Sequence, residues 1–156
     1  MKIKLLTIGE KMPRWLEDGV ADFTKRLPSD LGFELHRLPM AKRTKNKGAV
    51  QYKAEEAKTL LAASAKSTRR IALDVQGKSI STEALVRKLE QWQLEGETVA
   101  LYIGGPDGLD QSVLSECHEK WSLSAMTMPH PIAQLVLVEQ IYRAWSITQG
   151  HPYHRA

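Results

Sequence analysis

Short apolar runs rich in β-branched residues alternate with stretches of helical period along the whole 156-residue chain, and this alternation constrains its fold most strongly. Lys2–Gly9 (KIKLLTIG) reads as a buried strand ending in glycine, and Phe33–Leu38 as a strand stopped by Pro39. Arg70–Val75 (RIALDV), closed by Gly77, and Thr98–Ile103 (TVALYI) read as the third and fourth strands. Trp121–Met128 (WSLSAMTM) reads as a last short strand with its loop. Between them, Pro13 opens a helix with Leu16, Val20, Phe23 and Leu27 on one face. A second helix is expected from about Val50 to Ala65, with Ala54, Ala57 and Leu61 inward. Ser81 caps a third, carrying Leu85, Leu89 and Trp92 on one side and Glu83 near its positive end. Asp110 is the expected N-cap of a short helix with Val113, Leu114 and Cys117. Strands separated by helices predict an α/β fold, a mostly parallel sheet flanked by helices, formed as a single domain over residues 1–156.

The final helix, Ile132–Gln149, departs from the pattern. Leu135, Val136, Leu137, Val138, Ile141, Tyr142, Ala144, Trp145 and Ile147 leave it almost no polar face. Such a helix must be covered on both sides. At the end of a small chain a second subunit is the natural cover, which predicts a homodimer; a central core helix is the alternative.

A hydrophobic content of 42% with 26% charged residues argues for a packed core and against disorder. No apolar run approaches the roughly 20 residues that span a bilayer, so no membrane association is expected. The apolar core Leu5–Gly9 is too short for the h-region of a signal peptide. The lone Cys117 has no partner for an internal disulfide or a shared metal, and a reducing, cytoplasmic setting is expected. A net charge of +4 tilts the partner toward something acidic.

Gly77-Lys78-Ser79 follows a strand, as the end of a phosphate-binding P-loop would, but Ala72 stands where that motif needs its first glycine. Gly104-Gly105-Pro106-Asp107-Gly108 lies at the carboxyl end of a strand, where open α/β sheets bind ligands; a plain turn is the competing reading. Its spacing does not support a nicotinamide dinucleotide, and no acid for a ribose follows in the Ser124–His130 region. Met40–Gly48 reads as an exposed loop in which Lys42, Arg43, Lys45 and Lys47 place four cations in six residues, and no acid occurs between Arg37 and Lys53. Such a stretch suits nucleic-acid phosphates or is simply solvated. His151-Pro152-Tyr153-His154-Arg155 concentrates groups that contact bases and phosphates. No acid or thiol stands beside His151 and His154, so no metal is expected. His130, between two prolines, reads either as a helix-entry residue or as a site residue.

Met128-Pro129-His130-Pro131, Glu139–Ala144 (EQIYRA) and Pro152-Tyr153-His154-Arg155 carry a resemblance that extends over the whole chain, through Gly9–Pro13 (GEKMP), Leu73-Asp74, Gly77-Lys78, Ile103–Gly108 and Trp121–Ala125. The chain resembles the SPOUT (α/β-knot) RNA methyltransferases, and among them the bacterial enzymes of the large ribosomal subunit. The resemblance implies a C-terminal trefoil knot, which general topology rules would not lead one to expect. It implies S-adenosylmethionine as cofactor, cradled by Leu73, Gly104 and Leu123-Ser124-Ala125-Met126-Thr127-Met128. It implies methylation at N3 of a pseudouridine in 23S rRNA, near the decoding centre, at the family's position 1915. The family is expected to have an arginine early in the last helix, where this chain has Gln134; Arg143 or Arg155 would then replace its charge.

The methylated nitrogen must lose a proton. His154 is the expected base by its titration range, Arg155 the group that steadies charge on the uracil ring, Tyr153 their neighbour on the RNA side, and His130 a further candidate. A dimer would let each site borrow its partner's tail. The competing function is a non-catalytic ribosome-associated RNA-binding factor, which would ignore S-adenosylmethionine.

Overall fold

The computed structural model describes residues 1–9 and 11–155; Glu10, within the Gly9–Pro13 stretch, and Ala156 lie outside the described residues. Five strands, β1 (Lys2–Ile8), β2 (Phe33–Leu38), β3 (Arg69–Ser79), β4 (Thr98–Ile103) and β5 (Glu119–Ser122), form one sheet in the order β2-β1-β4-β3-β5. Every pairing is parallel. The helices are α1 (Arg14–Arg26), α2 (Ala49–Ala63), α3 (Thr82–Glu95), α4 (Gln111–Leu114) and α5 (His130–Thr148).

Right-handed crossovers account for the layering. The steps β1 to β2 and β3 to β4 run in one direction across the sheet, whereas β2 to β3 and β4 to β5 run in the other. Thus α1 and α3 share one face with α5, and α2 and α4 share the opposite face. The strand residues alternate to match. Ile3, Leu5, Val99, Leu101 and Ile103 join the core under α1, α3 and α5. Leu6, Ile8, Ala100 and Tyr102 join Ala57, Leu60 and Val113 of α2 and α4. A strand covered on both faces reads as a continuous apolar run, as β1 and β4 do.

The expected β2 and β4 match the observed bounds, and Ser81 caps α3 by accepting from the Ala84 backbone N–H. On α2 the inward residues are Tyr52, Glu56, Ala57 and Leu60, so Ala57 was correctly expected while Ala54 and Leu61 are only partly buried. α5 begins two residues earlier than expected, at His130, because proline is tolerated in a first helical turn. α5 lies between α1 and α3 of its own chain, and no residue of it is fully exposed. Its apolar circumference is therefore largely explained by a central position in the layer. Among the described residues no helix is long and apolar enough to cross a membrane.

Gly77 does not close β3. Leu73 and Lys78 both pair with Trp121, so the residues between them leave the ladder, and the strand then rejoins β5 through Ser79 and Ser122. The return brings the two backbones together: a Cβ on Gly77 would lie 2.7 Å from the carbonyl carbon and oxygen of Lys120. Only hydrogen fits there without a backbone shift. Gly77→Ala is expected to destabilise the protein by about 1–3 kcal/mol, as overpacking does. A thermal melt should show the midpoint falling by roughly 2–4 °C per kcal/mol.

Candidate active site

The bulge of β3 and the carboxyl ends of β4 and β5 open onto a cavity of about 770 Å³. That volume is within the usual range for a small-molecule site. Three segments supply its walls. The β3 bulge contributes Leu73, Asp74 and Val75, and the glycine loop after β4 contributes Gly104, Gly105, Pro106 and Gly108. The loop after β5 contributes Leu123, Ser124, Met126, Thr127 and Met128, and His130 and Ala133 close the cavity from the first turns of α5. Seven of the eight residues expected around a cofactor thus line one cavity; the eighth, Ala125, is exposed and outside its wall.

Local geometry explains the convergence. In the glycine loop the Gly108 N–H donates to the Gly105 carbonyl, and a Cβ on Gly104 would lie 2.6 Å from the Gly108 carbonyl carbon. A side chain at Gly104 would force that turn open. After β5, Ser122 Oγ donates to the Ser124 carbonyl and the Met126 N–H donates to Ser124 Oγ, which turns the loop back over the cavity. The wall is mainly apolar, and Asp74 is its single carboxylate among the described residues. In the sequence Asp74 figures only within the Leu73-Asp74 stretch of the resemblance and not as a site residue; its entry into the cavity depends on the bulge, which has no local sequence signature.

The residues expected to carry the chemistry divide into two groups. His130 lines the cavity, and burial holds its pKa below the ordinary imidazole value, with the Glu56 carboxylate opposing the shift. Tyr153, His154 and Arg155 lie instead in a 3₁₀ turn, Pro152–Arg155, that packs back on α5. The Tyr153 ring meets Tyr142 edge-on at 4.7 Å, Arg143 lies over it at 5.1 Å, and its hydroxyl is 3.4 Å from Glu139. Burial and the Glu139 charge raise its pKa, so the phenol stays protonated at neutral pH. His154 Nδ1 is 2.8 Å from the His151 carbonyl, and His154 and Arg155 are exposed. Glu139 and Tyr142 stand nine and twelve residues beyond His130 on α5. At 1.5 Å per residue the docked tail is therefore roughly 14–18 Å along the helix from the cavity of its own chain.

Gln134, where an arginine was expected, is 2% exposed, and its Nε2 has no partner among the described residues. Of the two candidate replacements, Arg143 is engaged with Glu139 and Arg155 is in the tail. Neither lines the cavity.

Over residues 1–154 the sequence matches the family described as predicted SPOUT methyltransferase. The chain belongs to the SPOUT methyltransferases. Relatives named ribosomal RNA large subunit methyltransferase H include one from Saccharophagus degradans, 50% identical over 99% of this chain and all of that protein. Another, from Hydrogenovibrio crunogenus, is 47% identical over 99% of both chains. The fold resembles the crystal structure of a probable methyltransferase from Bordetella pertussis, with a TM-score of 0.59 and 16% identity, covering 92% of this chain and 95% of that one. In this SPOUT protein the glycine loop, the β3 bulge and the loop after β5 wall a single cavity.

The depressed His130 pKa has a consequence for stability. The unfolded chain takes up a proton near pH 6.5, while the folded imidazole resists it until a lower pH. The neutral form therefore favours folding above pH 6.5, and this contribution is lost as the pH falls through the folded value. His130→Gln should accordingly lose less stability than wild type between pH 7 and pH 5, read as the difference in urea midpoints.

Proposed function

We propose that this protein transfers a methyl group from S-adenosylmethionine to N3 of a pseudouridine in 23S rRNA, at the family's position 1915, working in the cytoplasm as a homodimer on the ribosome. The observation that carries this reading is the cavity itself, where three segments distant in sequence meet at the strand ends in a chain whose full-length relatives are named for rRNA methylation.

The donor set suits the cofactor. S-adenosylmethionine supplies a methyl group already activated on a sulfonium, and the molecule is cationic overall at neutral pH. A mainly apolar wall with one carboxylate, Asp74, favours such a ligand over an anionic nucleotide. Gly104 and the Leu123–Met128 loop offer backbone groups for its polar ends, and the apolar walls exclude water. Uncharged His130 lines the cavity, where it can act as a proton acceptor or as a contact for the base.

The N3 proton must also leave, and His154 is the proposed acceptor, with Arg155 stabilising negative charge on the ring. In one chain these residues lie on the far half of α5 from the cavity. That separation supports a composite site in which each cavity receives the tail of the partner subunit. Docking on Tyr142, Arg143 and Glu139 would pre-order the tail for that role.

Tritiated methyl transfer to free 23S rRNA, separated subunits and whole ribosomes from cells lacking this protein, followed by mapping of the labelled nucleotide, tests the activity. Label at N3 of one pseudouridine is expected. Absence of S-adenosylmethionine binding by calorimetry would instead favour a non-catalytic factor. For the composite site, neither Gly104→Trp, which fills the cavity, nor a chain lacking residues 151–156 should be active alone. Mixed, they should regain up to about a quarter of wild-type turnover, because random pairing makes half the dimers mixed, each with one intact site. Failure to regain activity on verified subunit exchange would reject the shared site.

A further inference from the structure

The basic segment is not a free loop. The inward face of α2 grips it at successive points: the Ala41 N–H donates to Glu56 Oε2 at 3.0 Å, and the Thr44 N–H donates to the Tyr52 hydroxyl, which donates in turn to the Thr44 carbonyl. Arg43 stacks over the Tyr52 ring at 4.1 Å, lies 3.7 Å from Glu56 and donates to Asp107 at 2.5 Å. Glu56 is 3% exposed, although it sits on a surface helix. Asp107 falls between the cavity-lining residues Pro106 and Gly108, yet it does not line the cavity and is spent on Arg43. Among the described residues Lys42 and Lys45 make no ion pair.

Electrostatics alone makes this arrangement unfavourable for an RNA-binding rim. Two carboxylates are placed at the glycine loop and neutralise a cation that would otherwise meet phosphate. A positional role resolves the conflict. We propose that Glu56 and Asp107 are positioning residues for RNA: through Arg43 they fix segment 41–44 against the glycine loop, so that Lys42 and Lys45 meet the rRNA backbone from an ordered loop. The ordering entropy is then met on folding and not on binding. This inference rests on the rRNA reading above.

The sign of the effect separates it from simple charge. Removing an acid beside an RNA site should tighten binding if only net charge matters, and should weaken it if the acid holds the loop. The test uses whole ribosomes from cells lacking the protein, with binding measured at several salt concentrations and methyl transfer measured as kcat and KM. Asp107→Asn is expected to raise both ribosome Kd and KM by about threefold to fivefold, the range for losing one partly exposed ion pair. The kcat at saturating ribosome and the calorimetric affinity for S-adenosylmethionine should stay within about twofold, because Asp107 is outside the cavity wall. Asp107→Glu, which keeps charge and acceptor, should restore most of the loss. Glu56→Gln should act in the same direction, with a thermal melt confirming a folded protein. Unchanged or tighter binding by Asp107→Asn overturns the proposal while leaving the rRNA reading intact. Failure of wild type to bind or methylate the ribosome overturns both.

Discussion

Leu73 and Lys78 share one partner, Trp121, and the four residues between them leave the β3–β5 ladder although the strand runs parallel to β5 on both sides. A bulge of this kind re-aims side chains at a strand end, and here it brings Asp74 and Val75 into the cavity wall. The backbone must come back close to Lys120, which only glycine at position 77 permits. Trp121 is held in turn by stacking on Trp92 of α3, with the rings 6.1 Å apart and nearly parallel. The cavity thus depends on a sheet edge whose register is anchored from the core and interrupted at its rim.

α5 links that edge to the rest of the molecule. Its first turn brings His130 and Ala133 to the cavity, its middle packs between α1 and α3, and its second half carries the aromatic seat of the tail. A helix covered along its length transmits position well, because close-packed contacts resist displacement. The two ends are therefore held at a fixed separation.

Charge is organised by the same economy of position. Arg43, Glu56 and Asp107 bring together a loop, a helix and the glycine turn that are distant in sequence. Hydrogen bonding to Asp107 holds the Arg43 guanidinium firmly protonated. Cys117 illustrates the opposite case: burial raises its thiol pKa to about 11, leaving it unreactive at neutral pH.

The amino-acid sequence alone determined the layer architecture. Periodicity located β1 to β4 and the α-helices, because burial on two faces demands continuous apolar runs and burial on one face demands helical spacing. β5 begins two residues ahead of the expected Trp121 and ends at Ser122, and the 3₁₀ turns at Ser29–Leu31 and Pro152–Arg155 carry no such period. Ser81 and Asp110 marked their helix starts, because a capping side chain acts within three residues. Local glycine chemistry pointed to the loop after β4, and motif resemblance pointed to the other two cavity segments. Tertiary structure alone decided where non-local partners meet. The β3 bulge follows from pairing with a strand some 45 residues later, so Gly77 read as a terminator when it is a point of return. Nothing in the helical pattern of α2 marks Glu56, and only the packing of segment 41–44 and Asp107 over α2 makes it a buried anchor. Short-range physics is written along the chain, whereas register and charge pairing across distant segments exist only once the sheet has brought them together.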